Sequence, residues 1–494
     1  MAESLKRKAA KGMAWTAFEQ AMMQLVRFTV GIVIARFLIP ADYGIVPMLA
    51  LIYAICGTFI DSGMGAALVR KKDRTDLDFS TLFYFNLGTS VFFYICLFIA
   101  APYIARFFNM PILSAVTRIT ALSFVVGAFG TVQRTRLNIA LDFKPMTLVD
   151  LSMSILSGIA GIYMACHGYG VWALVWPGLI TSIIGTAVIW RITGWRPLPA
   201  FSSKSFKELF GFGSKILCSS LINTIYGNIS TLVIGKFYTP ADLGLYGRGR
   251  QFPEFPANFI QGMILRVTYP LLAKVNNETP ERMVDIYRRV LRMPVFVLAP
   301  VLAGIASVAH PMVAFLLGDK WLGCVIITQI ACFGVLWNPL THINLNLLYI
   351  KGRSDLVLRL ELIKKTIAFA MLITSFRFGI LGIVTSMAVY DFIAYAFNCY
   401  YTGRFINLGL FRQLKLFAPI FFNVAVMSLV TILVMRFSAV ALVKLLLGVP
   451  VGVLTYIALS WIEKDQTFME ISGLLLPQIK SGLHKITPPG GLIL

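Results

Sequence analysis

Gln20, Gln24, Arg27 and Gly31 stand at i, i+4, i+7 and i+11, so a helix gathers them within about 60° of one another, with Glu19 to one side. A second stripe carries Arg248, Gln251, Glu254, Asn258 and Gln261 along one face, with Arg250 on its flank. Asn223, Tyr226 and Ser230 form a third, and Asn338, His342, Asn344 and Asn346 cluster around Pro339. These residue types suit one kind of ligand. A guanidinium keeps its charge and offers a planar fork that matches phosphate oxygens in pairs, while amides and phenols bond the hydroxyls of a sugar. The competing assignment for each arginine is structural: Arg27 pairs with Glu19 or another helix's carboxylate, and Arg248 or its neighbours pair with Glu254 or Asp150.

The stripes matter because of where they sit. Of 494 residues 58% are hydrophobic and 13% charged, and apolar stretches fill the sequence from Ala14 almost to Trp461 with short polar breaks. A bilayer crossing needs about 20 such residues, so this is a polytopic membrane protein with no room for a separate soluble domain. At mid-bilayer a charge costs about 2.5–3.5 kcal/mol on the mildest scale, so Arg27 must face a cavity or a partner. Apolar runs and breaks give about fourteen helices in an all-α fold, the eighth and eleventh being the most polar.

The net charge of +22 reflects topology rather than a nucleic-acid surface. Alternate breaks hold 30 of the Lys and Arg residues, and the opposite ones about seven, which places both termini in the cytoplasm. Glu19, Gln20, Gln24 and Arg27 interrupt any signal-peptide core, so the first segment is read as a retained span. The basic segment PERMVDIYRRVLRM is amphipathic enough to lie on an anionic leaflet, or it is a solvated loop. Seven cysteines fall in apolar segments without CxxC spacing and read as small buried hydrophobes. Four histidines lack metal-ligand spacing and no P-loop occurs, so neither a metal, a cofactor nor ATP hydrolysis is expected.

An internal repeat organises the rest. VIARFLIPADYG at 33–44 returns as VIGKFYTPADLG at 233–244, identical at seven of twelve positions. The copies close helices 1 and 7. Six helices is an even number, so the halves enter the membrane in the same direction, a parallel repeat. Asp61 in FID and Gln261 in FIQ match at the same offset. The expected layout is a six-helix lobe at 1–195, a cytoplasmic linker at 196–210, a second lobe at 211–405, two further spans at 406–463 and a cytoplasmic tail at 464–494. A polar cleft shared by the lobes takes in Gln20, Gln24, Arg27, Asn223, Arg248, Arg250, Gln251 and Asn258. Acids within or near spans are Glu19, Asp61, Asp150, Glu254, Glu361 and Asp391; Glu19, Asp61 and Glu254, on or beside the stripes, are candidates for ion coupling. The P-A-D-x-G turns themselves read as joints.

The runs IARFLIPADYGIVPML, FIDSGMGAALVRKKD, TLFYFN and QRTRLNIALDFK resemble the oligosaccharide flippases of the polysaccharide transporter family, colanic-acid-exporter type, in the multidrug/oligosaccharidyl-lipid/polysaccharide superfamily. The likeness extends over about residues 10–400 and is strongest before 145. It implies a bacterial inner-membrane protein that turns undecaprenyl-pyrophosphate-linked repeat units to the periplasmic leaflet by alternating access, for surface polysaccharide. It implies cavity cations at the positions of Arg27 and Arg248, a groove for the lipid tail at the last two helices, and polysaccharide polymerase machinery as a partner; a monomer is expected because the repeat already supplies both halves of the cleft. The alternatives are an ion-coupled multidrug or small-solute exporter and a membrane glycan polymerase. Against the polymerase stands the shortness of the outer loops IPAD, HGYG and LGDK.

Overall fold

Proline, glycine and basic clusters divide the apolar sequence into long helices, because each apolar run must satisfy its own backbone inside a bilayer. The computed structural model describes residues 2–275, 278–470 and 472–473. In order its α-helices are α1 Ala2–Phe37, α2 Pro40–Met48, α3 Ala50–Asp61, α4 Met64–Arg70, α5 Asp76–Phe107, α6 Ile112–Ile139, α7 Phe143–Cys166, α8 Trp172–Thr193 and α9 Ser203–Phe237. They continue as α10 Pro240–Val275, α11 Pro280–Ser307, α12 Ala309–Leu316, α13 Cys324–Val335, α14 Trp337–Ile350, α15 Ser354–Ser375, α16 Gly379–Ile406, α17 Leu410–Met435 and α18 Ala441–Ile462. No strand occurs among the described residues.

Eleven helical stretches are long and apolar enough to cross a membrane, and one of them, the 53-residue Ser354–Ile406, holds two helices, α15 and α16, each long enough to span by itself. The long helices α1 and α10, which carry the polar stripes, are not among those eleven. With those two included, the chain has about fourteen long helices, as expected, in an all-α multi-pass membrane protein.

Contacts divide the chain into two units. The first is Met1–Gly247 with Leu316–Trp321, and the second Arg248–Phe315 with Leu322–Leu494.

Both copies of the repeated turn lie in the first unit and meet there. A Cβ on Gly44 would lie 1.8 Å from Pro240 O, and one on Gly244 would lie 2.0 Å from Pro40 O. Backbone thus crosses backbone, and only glycine fits on either side. Each Asp serves its own turn: Asp42 Oδ2 accepts from Ile39 N at 3.4 Å and Asp242 Oδ2 from Thr239 N at 3.1 Å. Beside the crossing, the end of α1 is held by Trp321, which is fully buried and donates from Nε1 to Ala35 O at 2.9 Å. Lys320 Nζ donates to Arg36 O at 2.7 Å, and Arg36 Nε to Leu316 O at 3.1 Å. At the end of α9, Lys236 Nζ donates to Phe107 O, so the two related cations cap the C-terminal carbonyls of other helices.

At the opposite, basic end of the first unit, Lys71 Nζ bonds Asp78 Oδ1 and Glu208 Oε2, each at 2.9 Å, and ties α4, α5 and α9 together. Burial pulls the Lys71 ammonium down, but the hydrogen bonds of Asp78 and Glu208 outweigh it and hold it above the usual lysine range. Residues 194–202 are stitched onto α5: Leu198 N donates to Ser80 Oγ at 2.9 Å and Ser202 N to Thr81 Oγ1 at 3.1 Å. Lys71→Met leaves the buried Asp78 carboxylate short of a donor and should lower stability by about 1–3 kcal/mol, read as a lower thermal midpoint of the purified protein.

In the second unit PERMVDIYRRVLRM opens α11. Its apolar face is turned to protein, not lipid: Met283, Tyr287 and Leu291, four residues apart, join a core with Leu272, Trp337, Leu340 and Phe417. Its arginines are engaged too, Arg289 with Asp285 and Glu470, and Arg292 with Asp465 at 2.5 Å. Amphipathicity said that one side is covered without saying by what. The cysteines divide as well. Cys56, Cys324, Cys332 and Cys399 are buried as expected, but Cys96, Cys166 and Cys218 are exposed, a small polarisable group being as compatible with lipid as with a core.

Candidate functional site

Arg27 lies ten residues before α1 ends at Phe37, about 15 Å along the helix at 1.5 Å per residue. Its side chain is exposed, and no hydrogen bond or ion pair reaches it among the described residues. Gln20 is exposed and Gln24 half-buried, and the Glu19 side chain lies outside the described ones. Asp61, at the end of α3, is likewise exposed without a partner among the described residues. Thr58 Oγ1 stands 3.1 Å from Thr224 Oγ1, joining α3 to α9 beside Asn223, which is exposed. The first unit therefore brings Asp61 and the α9 stripe to neighbouring helices.

Other span cations hold carboxylates. Arg134 forks onto Asp150 at 2.7 and 2.8 Å, and Lys364, 3% exposed, bonds Glu361 at 2.5 Å. Those pairs neutralise themselves, whereas Arg27 and Asp61 do not. A lone charge at that depth is sustained by water in a cavity or by a charged ligand.

In the second unit Arg248 is buried at 7% exposure, where its Nη1 donates to Gln251 Oε1. Arg250 donates from Nε to Glu254 Oε1 at 2.8 Å, with Nη2 at 2.6 Å from the same oxygen, and from Nη1 to Met387 Sδ at 3.6 Å. Asn258 is exposed and Gln251 and Gln261 half-buried. So neither Glu254 nor Asp150 is bonded to Arg27 or Arg248: both are taken by other arginines. Beside Arg250 and Glu254 lies Asp391 of α16, within reach of both charges. The closeness of Asp391 and Met387 to α10 was not legible from spacing, because 137 residues separate Arg250 from Met387. Also beyond the sequence reading is the grouping of His342 with Lys364 and Glu361, on α14 and α15.

A family described as "Polysaccharide biosynthesis protein" matches residues 33–326. Teichuronic acid biosynthesis protein TuaB of Bacillus subtilis (strain 168) is 26% identical over 72% of this chain and 73% of its own length. Lipopolysaccharide biosynthesis protein WzxC of Escherichia coli (strain K12) is 25% identical over 73% and 74%. Among solved structures, Lipid II flippase MurJ in an inward closed conformation superposes with a TM-score of 0.71 at 14% identity, covering 92% of this chain and 99% of that one. An inward-facing multidrug resistance MATE family transporter of the MOP superfamily gives 0.58 at 13% identity, over 80% and 95%.

Proposed function

The chain belongs to the polysaccharide biosynthesis protein family, with the fold of MOP-superfamily transporters, and from that premise we propose that it flips undecaprenyl-pyrophosphate-linked oligosaccharide repeat units across the bacterial inner membrane. The observation that carries this reading is Arg27, an exposed guanidinium ten residues from the end of α1 that has no hydrogen-bond or ion-pair partner among the described residues. A pyrophosphate supplies the missing anion, and it arrives on a lipid that never leaves the bilayer. Within the first unit Gln20, Gln24 and Asn223 are the polar groups suited to sugar hydroxyls; within the second, Arg248 and Arg250 are the candidate cations and Gln251 and Asn258 the matching polar groups. Asp61 and Glu254 are the acids nearest these stripes and the candidates for ion coupling.

In this reading the ends that carry the Lys- and Arg-rich loops are cytoplasmic. The lobes 1–195 and 211–405 expose the polar stripes alternately to the two sides, and the relatives' role in polysaccharide biosynthesis fits the same cargo.

The test is where cargo stops. In a cell deleted for the gene of this protein, lipid-linked repeat units are expected on the cytoplasmic leaflet, and its re-expression should move them outward and restore surface polymer. Single units piling up on the outer leaflet in the deletion would instead mark a polymerase. Restored drug resistance with no change in polymer would mark a small-solute exporter.

A further inference from the structure

A polar seam in the second unit is left unused by that cargo site. On α16, Asp391, Tyr395, Asn398 and Thr402 stand at i, i+4, i+7 and i+11, one face of the helix. Opposite them runs α13 and α14. A Cβ on Gly334 would lie 3.1 Å from Asp391 Oδ2, and Trp337 stacks on Tyr395 with ring centroids 5.1 Å apart. Asn398 Nδ2 donates to Thr341 O at 3.1 Å, and Thr402 Oγ1 to Asn344 Oδ1 at 2.7 Å. Asn344 Oδ1 also accepts from Tyr287 at 3.1 Å and from Gln413 Nε2 at 3.0 Å, while the Tyr395 hydroxyl donates to Gln413 Oε1 at 2.8 Å. Gln413 sits in the first turn of α17, beside Arg412 and Lys415 in sequence, and Arg404 lies in the last turn of α16. The seam therefore runs from the middle of α16 to the basic end of the unit.

Two features give it a use. Trp337 Nε1, Thr341 Oγ1 and Asn398 Oδ1 are shielded from solvent and find no partner among the described residues. A buried polar atom left unpaired costs about 1–3 kcal/mol, and three on facing turns call for shared water. At the seam's upper end, Asp391 and Glu254 share one guanidinium, Arg250, which is already bonded to Glu254. Two carboxylates against one cation leave a net negative charge inside the span, and a proton removes it. The other titratable groups on the helices packed against α16 include Arg412 and Lys415 on α17, Lys365 on α15, Cys324 and Cys332 on α13, and His342, Glu361 and Lys364 on α14 and α15. The last three interact among themselves.

We propose that Asp391 is a proton-binding site, reached from the basic end of the second unit along the seam of Thr402, Thr341 and Asn398. The donor is hydronium: an O–H bond forms on the carboxylate as one breaks in hydronium, water is left, and no electrons change hands. Hydroxyls of Thr402, Thr341 and Tyr395 and the waters that complete the unpaired atoms pass the proton on. The site goes beyond the flippase reading and does not depend on which cargo is carried.

Difference infrared spectroscopy of the purified full chain in lipid vesicles, titrated in H2O and D2O without any substrate, tests it. The protein should show a protonated-carboxyl band that titrates and that Asp391→Asn removes. Thr341→Val, which keeps the shape and the Thr341 carbonyl used by Asn398, should keep the band but slow its hydrogen–deuterium exchange at least tenfold, as should Asn398→Leu. Thr341→Val alone decides the route where Asn398→Leu fails to fold. A band unchanged in Asp391→Asn overturns the site, and exchange as fast as wild type in Thr341→Val overturns the route. Because no cargo is present, failure of the flippase reading would leave either result readable.

Discussion

Arg27→Ala should abolish export of lipid-linked repeat units while the protein inserts at its normal level. Losing a charge-assisted contact to phosphate removes about 1.5–3 kcal/mol, which is roughly tenfold to a hundredfold in binding. Because no carboxylate among the described residues pairs with Arg27, the substitution orphans none of them, and stability should scarcely change. Arg27→Lys keeps the charge but not the fork, so export should recover only in part. Arg134→Ala offers the contrast: it strips Asp150 of its partner and should lower the amount of folded protein. Surface polymer and membrane-inserted protein, measured side by side in the deleted host, separate the two behaviours. Full polymer from Arg27→Ala would remove the cation from the mechanism.

Gly44→Ala and Gly244→Ala should each cost about 3 kcal/mol or more, and the folded, monodisperse fraction after detergent extraction should fall sharply. The added methyl group meets a carbonyl oxygen at 1.8 or 2.0 Å, and the carbonyl belongs to a backbone that cannot rotate away. Gly127→Ala is the control, since a Cβ there meets nothing within 4 Å. Equal yields from all three variants would show that the two turns do not cross as described.

Much of this was readable in advance, and the rest was not, for identifiable reasons. The duplicated P-A-D-x-G turn announced a joint; that each glycine receives the other copy's proline carbonyl depends on packing between positions about 200 apart. The polar stripes of α1 and α10 were visible by period. Charge pairing was only half visible. Arg250 with Glu254 follows from i, i+4 spacing, but that Arg27 finds no partner among the described residues depends on the helices around it. The α16 stripe from Asp391 to Thr402 was present in the sequence too. It went unread because Tyr395 and Thr402 look like ordinary span residues until Asn344 and Gln413 are placed against them.

Trp321 has a practical consequence for anyone who cuts this chain in two. A break in the segment between α10 and α11 would separate the first unit from Leu316–Trp321, six residues it needs from far downstream. Expressed alone, the upstream fragment would leave the Ala35 carbonyl without the indole N–H that covers it. Co-expressed fragments should therefore rescue one another only when the downstream piece carries an intact Trp321, whatever its other helices contribute.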